Sequence, residues 1–90
     1  MLYMVIERFL NDDPVPVYRR FRDRGRMAPD GLHYVSSWVD TRLACCFQVM
    51  ETEQPELLQQ WLAQWSDIVE FEVHPVLTSA QAAQQMASRL

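Results

Sequence analysis

Between Leu32 and Glu51 the side chains divide with a period of two into two faces, both partly apolar. Leu32, Tyr34, Ser36 and Trp38 interleave with His33, Val35, Ser37 and Val39; after a polar break at Asp40, Thr41 and Arg42, Leu43, Cys45, Phe47 and Val49 interleave with Ala44, Cys46, Gln48 and Met50. Aromatic and β-branched residues in this rhythm suit a pleated surface, so the stretch predicts two strands joined as a hairpin. Leu2 to Phe9 is dense in apolar and β-branched residues ahead of the polar cluster Asn11, Asp12 and Asp13, which predicts a central strand running into a turn. Ile68 to Val76 sets Val69, Phe71 and Val73 against Glu70, Glu72 and His74, the pattern of an edge strand blunted by charge.

Elsewhere the period is helical. Asp13 followed by Pro14 marks a helix start, and Val17, Tyr18 and Phe21 then share an arc flanked by Arg20, Arg22 and Arg24, with Gly25 placed for a C-terminal cap. Pro29, Asp30 and Gly31 form the turn into the hairpin. Pro55 opens a second helix with Leu57, Leu58, Trp61, Leu62 and Trp65 on one face, and Thr78 with Gln81 makes a capping box for a third, whose Ala80, Ala83, Met86, Ala87 and Leu90 share a side.

The order strand, helix, strand, strand, helix, strand, plus a terminal helix, predicts a ferredoxin-like α+β sandwich over residues 1–90 as one domain. Phe21, Trp61, Trp65, Phe47, Phe71 and Val73 are expected between helices and sheet. The other sheet face is expected to carry Tyr34, Ser36, Trp38, Cys46, Gln48 and Met50, a surface too apolar to leave wet, and a homodimer packed face to face is the expected solution.

Composition narrows the partners. A chain of 90 residues has a limited core, and 49% hydrophobic residues with only 2 Gly argue for a compact fold. The net charge of -4 counts against a nucleic-acid or anionic-membrane binder, and a small ligand or protein partner is expected instead. No apolar run reaches membrane-spanning length and Met1 to Phe9 does not read as a signal peptide, so a cytoplasmic, soluble protein is expected. Cys45 and Cys46 are adjacent and point to opposite faces of a strand, which rules out a bridge between them.

The candidate chemistry is sparse. Arg19, Arg20, Arg22, Arg24 and Arg26 crowd together; most of this is the solvated face of a helix, but Arg20, Arg22 and Arg24 flank the apolar stripe and are candidates for holding a carboxylate or phosphate. Glu7 is the notable carboxylate, because an ionisable group in the innermost strand must find a partner or shift its pKa, unless it only protrudes at the strand end. Tyr34, Trp38 and Gln48 are the remaining candidates for lining a ligand site. His33 and His74 fall on outer strands, and neither they nor the cysteines show metal-ligand spacing. With no Gly-rich phosphate loop and no nucleophile elbow either, no metal or cofactor is expected.

Met1 to Phe9, Pro16 to Arg26, Tyr34 to Asp40, Cys46 to Glu51, Phe71 to Val73 and Pro75-Val76 resemble a family of small bacterial proteins of unknown function. That family looks like a branch of the dimeric α+β barrel group, which also holds muconolactone isomerases, antibiotic-biosynthesis monooxygenases and stress-responsive barrel proteins. The resemblance to the broader group lies in element order, and no catalytic residue of an isomerase or monooxygenase matches a position here. It implies a small-molecule-binding barrel protein or a cofactor-independent enzyme acting on a small organic acid. The alternative is a non-enzymatic interaction or regulatory module.

Overall fold

A computed structural model describes residues 1–90. The elements are β1 (Leu2–Phe9), α1 (Val15–Arg24), β2 (His33–Val39), β3 (Cys45–Glu51), α2 (Pro55–Ala63), β4 (Val69–Val76) and α3 (Ser79–Met86), with 3-10 turns at Leu10–Asp12 and Ala87–Arg89. The strands form one antiparallel sheet in the order β2-β3-β1-β4, and α1 and α2 cover one of its faces: a ferredoxin-like α+β sandwich.

Local chemistry sets the helix ends much as the residues predict. The Asp13 carboxylate accepts from the Val15 N–H at 3.0 Å, and Gly25, at φ 69°, closes α1 by donating its N–H to the Phe21 carbonyl at 2.8 Å. Pro55 stands in the first turn of α2. In α3, Thr78 and Gln81 form the reciprocal capping box. Trp65, expected on the helical stripe, lies in the turn just after α2 and is nevertheless buried. No helix is long and apolar enough to cross a membrane.

Register decides which sheet face meets the helices. Val5, Glu7 and Phe9 of β1 are buried on the helix side, and Tyr3, Val5 and Glu7 stand opposite Met50, Gln48 and Cys46 of β3. Cys46, Gln48 and Met50 are therefore under the helices, the reverse of the side expected for them. Phe47, expected in the core, faces the other way opposite Trp38 and is 39% exposed. Both faces of β3 are apolar enough that alternation alone cannot choose between them; pairing with β1 does. Phe71 and Val73 pack against the core as expected, but Phe21 is 43% exposed, because α1 stands off the sheet and leaves a cavity there.

A β-bulge between Tyr34 and Ser36 splits β2 in the same way. It brings Tyr34 and Ser37 to the helix side, where their hydroxyls hydrogen-bond at 2.8 Å, and turns Ser36 and Trp38 to the open face. Leu77 to Leu90 is exposed throughout, so α3 extends from the body instead of covering the sheet. The radius of gyration, 14.8 Å, accordingly exceeds the roughly 12 Å of a compact chain of this length.

Candidate functional site

Strand β1 carries one carboxylate on its buried face. Glu7 is only 8% exposed, in the middle of the sheet, where alternation forces it in with Val5 and Phe9. Its Oε2 is buried and has no hydrogen-bond partner in the protein. Burial pushes its pKa up to about 7, against weaker downward pulls from the Cys46 thiol across the ladder and from the Arg26 charge. A buried acceptor left without a donor is expensive, on the order of 1–3 kcal/mol, and an ionised one costs more.

The carboxyl lines a cavity of about 210 Å³ that opens to solvent between α1 and the sheet. Phe9 and Cys46 lie beside it on the sheet, Val17, Tyr18 and Phe21 come from α1, and Trp65 closes one side. Gln48 and Ser37 add polar atoms. The Gln48 side-chain N–H reaches only the Met50 sulfur, a weak acceptor, at 3.3 Å. Tyr18 packs edge-on against Phe9, and burial raises its phenol pKa; burial, aided by the Glu7 charge, pushes the Cys46 thiol up to about 12.

Arg26 completes the lining. It follows Gly25 and precedes Met27, both with left-handed φ (69° and 61°), and its carbonyl accepts both indole N–H groups of the core, Trp61 at 2.9 Å and Trp65 at 3.1 Å. Its guanidinium lies 3.8 Å over the Tyr34 ring and 5.2 Å from the Phe21 ring centre.

The structure thus brings Glu7 and Gln48 together at one cavity and brings Tyr34 to its edge through Arg26. Trp38 is on the opposite sheet face and 60% exposed. The arginines flanking the stripe lie outside the lining. Arg20 makes a bidentate pair with Asp67 at 2.7 and 2.8 Å, donates to the Gln64 carbonyl at 2.8 Å and covers Trp65, so it ties α1 to the loop after α2. Arg22 pairs with Asp23, and Arg24 is exposed. Arg26, Tyr18, Ser37 and Cys46 are lining residues that pattern reasoning passed over. For Arg26 one signal was present: it sits just past the Gly25 cap, where the chain turns back toward the sheet. No three His, Cys, Asp or Glu side chains converge in a way that would hold a metal ion.

Fold and cavity together define a ferredoxin-like α+β protein with a buried carboxyl at the floor of an aromatic cleft. Residues 1–90 match the family described as Domain of unknown function (DUF3303), and the chain belongs to that family. No curated protein and no solved structure matches it.

Proposed function

We propose that the protein binds a small organic molecule in the cavity between α1 and the sheet, with Glu7 as the group that exchanges a hydrogen bond or a proton with it. The observation that carries this reading is the buried, unpartnered Oε2 of Glu7 at the floor of an open, mostly apolar cleft. A folded chain has little reason to bury such an oxygen for packing alone, whereas a ligand entering the cleft supplies the missing partner. With its pKa near 7 the carboxyl is populated both with and without its proton at neutral pH, which suits a general acid or base working on a small organic acid without a cofactor. A thermal-shift screen of small organic acids tests it. Stabilising compounds that lose their effect in Glu7→Gln support the site; no shift from any compound leaves the interaction-module reading ahead.

A second copy of the chain is the proposed cover for the open sheet face, completing a dimeric α+β barrel. Two features support this: Met4, Ile6, Trp38, Phe47 and Val49 share that face, and the segment from Leu77 to Leu90 is exposed along its whole length, Met86 and Leu90 included. Because the cavity lies on the other face, ligand binding and dimerisation are separable.

A further inference from the structure

We propose that Arg26 is the anion-binding residue of this cavity and that the ligand is a single-ring aromatic monocarboxylate whose carboxylate meets the Arg26 guanidinium. This rests on the cavity reading above and names the class of compound that the cavity takes.

The arginines differ in their partners. Arg8, Arg20 and Arg22 are paired with acids, and Arg19, Arg24, Arg42 and Arg89 are exposed to water. Arg26 alone is partly buried while its guanidinium meets no acceptor in the protein. Its neighbours are instead two rings, which pack against the guanidinium and leave its N–H groups without an acceptor in the protein. Its backbone is held just as firmly, by two indole donors on one carbonyl between two left-handed residues. A guanidinium held this way has lost most of its conformational freedom before anything binds, which favours bidentate capture of a planar anion.

Charge and volume choose the anion. The cleft offers one fixed cation and one carboxyl. A monoanion is balanced by Arg26 while Glu7 keeps its proton and donates it as a hydrogen bond, whereas a phosphate dianion leaves net negative charge in a low-dielectric site. The walls are Phe9, Tyr18, Phe21 and Trp65, which suit a flat apolar body. A cavity of about 150 Å³ is known to hold benzene, so about 210 Å³ accommodates one ring with one or two substituents.

The test is calorimetric titration of benzoate and 4-hydroxybenzoate against their neutral isosteres benzamide and 4-hydroxybenzamide, with inorganic phosphate as a third probe. The carboxylates are expected to bind about tenfold or more tighter than the amides, phosphate not at all, and Arg26→Gln to abolish the difference. Arg26→Lys, which keeps the charge without the fork, should retain part of it. If amides and carboxylates bind alike, the cavity reading stands and the role of Arg26 falls, a result the unmodified protein gives even where Arg26→Gln fails to fold. Phosphate binding with the carboxylates silent overturns the ligand class. Failure of every probe at millimolar concentration overturns the cavity reading together with this inference.

Discussion

Trp65 walls the cavity and, through its indole N–H, holds the Arg26 carbonyl at 3.1 Å, a carbonyl it shares with Trp61 at 2.9 Å. The hydrophobic core and the candidate site therefore share this backbone acceptor as well as the side chains of Phe9 and Trp65. Trp61 is the more buried of the two, at the centre of the packing between α2 and the sheet. Trp61→Ala should cost about 3–5 kcal/mol in chemical denaturation; a loss below about 1 kcal/mol would contradict the packing described here.

Glu7 makes stability fall as pH rises through neutrality. Its carboxyl keeps the proton to about pH 7 in the folded protein and, in the unfolded chain, only to near the ordinary 4.5. Between those values the folded state binds more protons, so its stability is full below the lower value and declines toward the upper one. The total is on the order of 3 kcal/mol. Asp40, Asp67 and Glu72 shift the other way, held down by the Ala44 and Cys45 N–H groups, by Arg20, and by His74 with Arg8 respectively; their contribution is lost only as pH falls below the usual carboxylate range. Denaturation of Glu7→Gln between pH 5 and 8 should therefore give a flatter profile than the parent chain. Parallel profiles would show that Glu7 titrates normally.

The Cys46 thiol is protected by the same physics. Burial pushes Cys46 up to about 12, so it is not a thiolate at pH 8, and burial raises Cys45 as well. Alkylation by iodoacetamide, mapped by mass spectrometry, should be about tenfold or more slower at Cys46 in the folded protein than in guanidinium. Equal rates would place Cys46 outside the buried wall.

Sedimentation equilibrium at micromolar concentration should give twice the 10.6 kDa chain mass, and Trp38→Glu combined with Phe47→Glu should return the monomer. A monomer before mutation would remove the second copy while leaving the cavity intact.

How far the residues alone reached follows from what each signal measures. Element order, the helix starts at Asp13-Pro14 and Pro55, and the Thr78–Gln81 box are local, and the structure has them where the sequence puts them. Sheet sidedness is not local. Cys46, Gln48 and Met50 read as open-face residues until pairing with β1 turns them inward, and the bulge after Tyr34 breaks an alternation that looked continuous. Glu7 was legible because a carboxylate in a central strand is anomalous by itself. Arg26 was legible only in its place just past the Gly25 cap, because the two indoles that hold its carbonyl, Trp61 and Trp65, lie 35 and 39 residues away along the chain.

The three tryptophans report on the placement of the ligand in one experiment. Trp65 lines the cavity, Trp61 lies behind it, and Trp38 is on the opposite sheet face. In a nitrogen–proton correlation spectrum each indole N–H gives its own signal, and benzoate can be titrated while all are watched. Binding in the cavity predicts a saturable shift of the Trp65 signal, a smaller one at Trp61 through the shared Arg26 carbonyl, and none at Trp38. A shift confined to Trp38, or none at any of them up to millimolar benzoate, would contradict the placement of the site.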